Sequence, residues 1–310
     1  MIEVEKLRKA YPGGVEAVAG TDLEVPQGEV FALLGPNGAG KSTTIGMLTT
    51  TVRPTDGTAR LAGFDVRTQQ LAVRKVSSVV FQDAVVDRSL TGRSNLDLHG
   101  RLWGVEPDEA KRRIGELVDA VGLRDLVDRP VGTFSGGERR RLEIARALVS
   151  GPRVLFLDEP TVGLDPRIRA ELLDILAGLG GRDELTILVT THYLDEAEHL
   201  ADRVAIMHSG RIVALDTPER LRASLGRELV ELRVDGDPAG VLATLRSIGI
   251  ARDDAFTVGA TVTVPLNGHT SSEAIAGIHE LGLADAVSAR RPTLDDVYLR
   301  LTGARLAQAA

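Results

Sequence analysis

The chain has 310 residues, 43% hydrophobic and 26% charged, with a formal net charge of −7 and an isoelectric point near 5.5. That length suits one large domain plus a small one, each with a core, and the acidic balance argues against a protein that coats nucleic acid by charge alone. There is no cysteine, which excludes disulfides and thiolate metal sites. The opening MIEVEKLRKA has no apolar signal core, and no apolar run approaches the roughly 18 residues of a membrane span. A membrane role therefore requires another chain to supply the span.

In chain order, IEVEKLRKAY, VEAVAGTDLEV and EVFALLG read as short strands, the last a buried one that ends at glycine. GPNGAGKSTTIGMLTT passes from a Gly-rich turn into a helix beginning near Ser42, and GTARLAGFDV and VSSVVFQD are further strands. From about residue 88 to 150 the pattern turns helical: GRSNLDLHGRLWG, PDEAKRRIGELVDAVG and GGERRRLEIARALVSG space apolar residues three and four apart. RVLFLDEP and ELTILVTTH return to strand, separated by the helix-like PRIRAELLDILAGLG. RVAIMHSGRIVALDT holds two strands around a Ser209-Gly210 hairpin turn. The alternation predicts an α/β core around a largely parallel sheet, with one helical subdomain inserted.

PERLRASLGRE reads as a linking helix, with a boundary near residue 222. Beyond it, the segments from LVELRVDG to AVSARR suggest strand–helix–strand–helix–strand, followed by a helix over PTLDDVYLRLTG and a frayed ARLAQAA. This is a small α+β accessory domain over 223–310.

GPNGAGKS, residues 35–42, matches a phosphate-binding loop between a strand and a helix. Its glycines let backbone N–H groups point inward at phosphate oxygens, and the helix adds the positive end of its dipole. Lys41 supplies charge to the outer phosphates and Ser42 a hydroxyl for Mg²⁺. VLFLDE, residues 154–159, is a buried strand that delivers two carboxylates to the ligand edge of such a sheet. Asp158 is placed to orient Mg²⁺ through water, and Glu159 to polarise an attacking water or take its proton. Ser135-Gly136-Gly137 opens a second helix suited to an anion, about a hundred residues from the first; the same residues also suit a plain capped helix with Ser135 as N-cap. Arg139, Arg140, Arg141 and Arg146 read as a solvated helix face.

Six segments in this order, GPNGAGKST, FQD, FSGGE, VLFLDEP, VGLDP and TTHYLDEAE, resemble the nucleotide-binding subunit of ABC transporters. The resemblance covers essentially residues 1–215 and implies a P-loop NTPase domain over 1–222 with its helical subdomain at about 88–150. It implies that ATP and Mg²⁺ bind at Gly35, Asn37, Gly38, Gly40, Lys41, Ser42 and Thr43, with Ser42, Gln82 and Asp158 toward the metal. Tyr11 would stack on adenine, or pack as a strand-end aromatic. Glu159, Gln82 and His192 would serve catalysis, with His192 touching the γ-phosphate. Two copies would meet head to tail, each ATP lying between the Lys41 loop of one and the Ser135-Gly136-Gly137 segment of the other. Asp165 would cross that interface, and also suits a helix N-cap before Pro166.

Phe134 and Glu138 depart from the commonest signature, which has Leu and Gln there. The accessory segment and LTGRSNLDLHGRLWGV resemble daunorubicin-resistance-type exporter ATPases. The implied partners are a second nucleotide-binding subunit and an ABC-2-type transmembrane permease, with no direct nucleic acid, and the implied place is the cytoplasmic face of the membrane. A soluble mechanical ATPase acting on nucleic acid or ribosomes and an importer subunit are the alternatives.

Overall fold

The first strands alternate polar and apolar residues, as a sheet with one wet face requires. β1 (Ile2–Ala10) and β2 (Glu16–Val25) bury Ile2, Val4, Leu7, Val18, Leu23 and Val25. The computed structural model describes residues 1–82, 85–180, 185–266, 270–283 and 286–303. Asp83 of FQD, Glu184 of ELTILVTTH and the ARLAQAA tail lie outside the described residues. The chain divides into two units, Met1–Ile212 and Val213–Ala310, against an expected boundary near 222.

In the first unit β3 (Val30–Leu34) leads to α1 (Lys41–Leu48), β4 (Asp56–Leu61) and β5 (Phe64–Asp65). β1, β2, β4 and β5 form an antiparallel sheet in the order β2-β1-β4-β5. α2 (Gln70–Val76) and β6 (Ser77–Val80) precede three helices, α3 (Gly92–Leu102), α4 (Pro107–Ala120) and α5 (Gly136–Val149). These helices enclose a core of their own that includes Leu96, Ile114, Val118, Leu142 and Phe134. Phe134 is 3% exposed there, so the position requires apolar bulk, which Phe meets as Leu would. The unit continues through β7 (Val154–Asp158), α6 (Pro166–Gly180), β8 (Thr186–Thr191), α7 (Leu194–Leu200) and β9 (Arg203–His208), and β10 (Arg211–Asp216) begins in it and runs past its end at Ile212. Ser209 and Gly210, both at positive φ, turn β9 into β10.

The central sheet runs β10-β9-β3-β8-β7-β6. β3 pairs in parallel with β8 and β9, and β7 with β6 and β8. VFALL of β3 and VLFLD of β7 are buried along their whole length, as strands covered on both faces must be. Because these strands are parallel, their C-terminal ends share one edge of the sheet. Gly35, Gln82, Asp158 and His192 all sit at or just past such ends, where ligands of open α/β sheets bind.

The second unit contains α8 (Pro218–Ala223), β11 (Glu228–Arg233), α9 (Pro238–Ser247), β12 (Phe256–Val258), β13 (Thr261–Leu266), α10 (Ser271–Glu280), β14 (Ala286–Arg290) and α11 (Leu294–Thr302). Its antiparallel sheet has the order β12-β13-β11-β14. β12 is additional to the expected series, since three residues are too few to show a period. Asp296 in the first turn of α11 accepts both Nη groups of Arg290 at 2.7 and 2.6 Å, together with the N–H and hydroxyl of Thr293. LDDVYLRL is therefore held by a buried ionic cap, and Tyr298 is fully buried. Among the described residues no helix is long and apolar enough to cross a membrane.

Candidate functional site

The loop after β3 folds tightly because Gly40 adopts φ 106°, and a Cβ there would lie 2.4 Å from the Ala17 carbonyl oxygen. Only glycine satisfies both conditions. The loop delivers Lys41 to the start of α1, where it is 4% exposed. Lys41 Nζ donates to the carbonyls of Gly35 at 2.7 Å and Pro36 at 3.0 Å, and lies 3.1 Å from Glu159 Oε1.

Asp158 closes β7, 9% exposed. Its Oδ1 accepts from Ser42 Oγ at 3.0 Å and from Thr190 Oγ1 at 2.6 Å. Glu159 follows at φ 46°, a left-handed conformation that costs a non-glycine residue about 1 kcal/mol or more. Its N–H is held by Thr190 Oγ1 at 3.0 Å. Its second oxygen lies 3.3 Å from His192 Nδ1, without the alignment of a hydrogen bond. Glu159 is thus flanked by Lys41 and His192.

A cleft of about 730 Å³ gathers Tyr11, Asn37, Gly38, Gly40, Lys41, Ser42, Thr43, Gln82, Glu159 and His192 on its walls. Asp158 and Gly35 adjoin it through their bonds to Ser42 and Lys41. Tyr11 sits at its rim, 38% exposed, with Lys9 Nζ 4.9 Å from its ring centroid. Ser135, Gly136, Gly137 and Asp165 are not among the residues that line this cleft.

α5 begins with a capping box: Ser135 Oγ accepts from the Glu138 N–H at 3.2 Å, and Glu138 Oε2 accepts from the Ser135 N–H at 2.7 Å. The box uses two of the N–H groups at this terminus and leaves those of Gly136 and Gly137 outside it. The two glycines differ. A Cβ on Gly136 would meet only Leu164 Cδ2 at 3.8 Å, whereas one on Gly137 would stand 2.3 Å from Ile168 Cγ2. Gly137 therefore lets α5 approach α6. Asp165 Oδ1 accepts from the Ile168 N–H at 3.1 Å, one turn into α6 with Pro166 at its first position.

The expected solvated face of α5 needs correction: Arg139, Arg141 and Arg146 are only partly exposed, and the most deeply buried of the four is Arg140, which is 7% exposed. Its guanidinium donates to the carbonyls of Pro160 at 2.7 Å and Phe81 at 2.5 Å, and pairs with Glu143 at 3.1 Å. Burial lowers its pKa while Glu143 opposes that shift. Its burial runs against the solvated reading, yet Arg140 falls in the row of Gly137, Ile144 and Ala147, all buried. That spacing, on a helix whose neighbours in the row are small or apolar, is the available signal. Glu196, 1% exposed, was also missed. It accepts from Thr191 Oγ1 at 2.5 Å and from Thr161 Oγ1, with Arg169 Nε at 3.7 Å, and burial raises its pKa. It ties the start of the VGLDP loop to the strand end that carries His192.

A model of the ABC transporter family matches residues 18–162. The daunorubicin/doxorubicin resistance ATP-binding protein DrrA of Streptomyces peucetius is 44% identical over 308 residues, spanning 97% of this chain and 92% of that protein. The linearmycin resistance ATP-binding protein LnrL of Bacillus subtilis (strain 168) is 33% identical over 312 residues, spanning 99% of each. Among solved structures, cbiO1 from Clostridium perfringens, part of the ABC transporter complex cbiONQ, superposes with a TM-score of 0.67 at 30% identity. That match covers 72% of this chain and 90% of the other.

Proposed function

The chain belongs to the ABC transporter family of ATP-binding proteins, nucleotide-binding ATPases, and from that premise we propose that it powers a drug exporter. In this reading a separate ABC-2-type permease carries the cargo, and the chain attaches through it to the cytoplasmic face of the membrane. Two antibiotic-resistance relatives aligned along nearly the whole chain, second unit included, favour this over a mechanical or importing ATPase.

The observation that carries the mechanism is the separation of two anion-ready helix ends within one chain. The start of α1 lines the 730 Å³ cleft and the start of α5 does not. One copy thus offers a phosphate cradle and, elsewhere, two backbone donors at Gly136 and Gly137. Two copies placed head to tail complete each other's sites, and the triphosphate joins their surfaces. Asp165 lies on the segment next to Gly137 and would border the same junction.

Within the cradle Lys41 holds the outer phosphates and Tyr11 offers a ring to adenine. Gly35, Asn37, Gly38, Gly40 and Thr43 supply the backbone and side-chain lining. The donors fit Mg²⁺: Ser42 Oγ and Asp158 Oδ1 are 3.0 Å apart, Gln82 borders the same cleft, and all are hard oxygen ligands. Ser42, Gln82 and Asp158 would hold the ion, which would neutralise phosphate charge. Glu159 takes the proton of the attacking water as its oxygen bonds to the γ-phosphorus and the bond to ADP breaks. His192, beside Glu159, steadies the γ-phosphate.

The test is transport of an anthracycline into inverted vesicles that hold this chain with its permease. ATP-dependent uptake that disappears with Lys41→Ala supports the reading. Uptake that persists in Lys41→Ala, or that is absent with the parent, overturns it.

A further inference from the structure

Arg140 and Glu143 reach, from one face of α5, into both segments that carry catalytic side chains. Arg140 Nε donates to Pro160 O at 2.7 Å, and its Nη2 to Asp158 O at 3.3 Å and Glu159 O at 3.4 Å. One guanidinium therefore gathers three consecutive carbonyls of the turn that holds Glu159 at φ 46°. A left-handed non-glycine backbone persists only where its surroundings over-determine it, and here Arg140 does so from the carbonyl side while Thr190 holds the N–H side.

The grip on Gln82 is two-sided. Arg140 Nη1 donates to Phe81 O at 2.5 Å, the residue before Gln82, and Glu143 Oε1 accepts from the Val85 N–H at 2.6 Å, three residues after it. Glu143 Oε2 closes the circuit on Arg140 Nη1 at 3.1 Å. Both side chains are buried, at 7% and 2% exposure, so water does not compete for these bonds. Their spacing of three puts them on one helix face, and Arg140 stands one turn from Gly136 and Gly137 along a continuous α-helix.

We infer that Arg140 and Glu143 are a positioning pair that couples the N-terminus of α5 to Gln82 and Glu159 of the same chain. This rests on the shared-site reading above: a phosphate engaged by Gly136 and Gly137 belongs to the other copy's nucleotide. A shift of α5 toward that phosphate moves the Glu159 turn and both flanks of Gln82 with it, so that one site's occupancy sets the geometry of the other. Neither side chain lines the 730 Å³ cleft, so the pair acts on turnover and leaves the Lys41 cradle intact.

The experiment compares purified full-length Arg140→Gln and Glu143→Gln with the parent and with Gly136→Asp. Four quantities are read: ATP affinity by calorimetry, ATP-driven dimer formation by light scattering in a Glu159→Gln background, kcat for phosphate release, and melting temperature. The expected result for both variants is ATP affinity within about twofold of the parent, a retained dimer, and kcat lowered about 10- to 100-fold. Glu143→Gln leaves every Arg140–carbonyl bond possible, which covers the case in which Arg140→Gln does not fold. Parent-like kcat in either folded variant overturns the coupling. So does a fall of affinity, dimer and melting temperature in parallel with kcat, the mark of a merely structural role. If Gly136→Asp itself turns over normally, it is the shared-site reading that fails. If Gly136→Asp is inactive while Arg140→Gln is normal, only the coupling fails.

Discussion

Lys41 Nζ lies 3.1 Å from Glu159 Oε1 and is also shared by the Gly35 and Pro36 carbonyls. An ammonium has three donors, so a phosphate that engages Lys41 must displace one of these partners, and Glu159 is the charged one. Glu159→Gln removes that competition along with the proton acceptor. It is expected to bind ATP about 3- to 10-fold more tightly, roughly 0.7–1.4 kcal/mol, while phosphate release slows about 10²- to 10⁴-fold. Calorimetry and a phosphate-release assay read the two effects; weaker ATP binding would show that the pair preorganises Lys41 instead.

Gly137 has an intramolecular reason to be glycine. The 2.3 Å approach of a Cβ to Ile168 Cγ2 predicts that Gly137→Ala loses about 1–3 kcal/mol by overpacking. Gly137→Ala combined with Ile168→Ala should melt higher than Gly137→Ala alone. Gly136→Asp, which has room, should keep the parent melting temperature and lose turnover about 100-fold through repulsion of phosphate. A double variant no more stable than the single would remove the steric argument.

Glu138 spends its carboxylate on the Ser135 N–H at 2.7 Å, so its charge is drawn back to its own helix. Gln can accept the same bond. Glu138→Gln should keep the parent melting temperature and a turnover within about twofold of the parent, whereas Glu138→Ala should lose about 0.5–1 kcal/mol. Urea titration and the phosphate-release assay separate the outcomes. A large change of turnover in Glu138→Gln would mean that the negative charge itself reaches the nucleotide.

His99 on α3 has Nε2 buried without a hydrogen-bond partner. Burial, and then the Arg146 charge, depress its pKa from 6.5 to about 4. Between those values the unfolded chain binds a proton that the folded chain does not, so stability falls as pH drops from about 6.5 toward 4. Thermal melts at pH 7 and pH 5 should show a smaller acid loss for His99→Gln than for the parent. Equal losses would place the acid sensitivity elsewhere.

Much of the site could be read from local order. GPNGAGKS and VLFLDE each pair a strand with the residue types that phosphate and water chemistry require, and the cleft does gather Lys41, Ser42, Gln82, Glu159 and His192. The capping box at Ser135 and the Asp165 cap of α6 were likewise within reach, because a cap is made by residues three apart. β12 was not, being three residues long. Arg140 stands between two charged neighbours, Arg139 and Arg141, and its burial depends on carbonyls at Phe81, Asp158, Glu159 and Pro160.

The amino-acid sequence by itself determined what short-range geometry decides: helices with their caps, buried strands, the tight loop around Gly40, and the chemical types placed at strand ends. The tertiary structure alone decided which of those ends meet, that Lys41 and Glu159 form a pair, that Gly137 faces Ile168, and that Arg140 spans two catalytic segments. The physical reason is range. A turn or a cap is settled by hydrogen bonds among residues a few positions apart, whereas a buried charge takes its meaning from partners up to 59 residues distant, which only the packed chain brings within bonding distance.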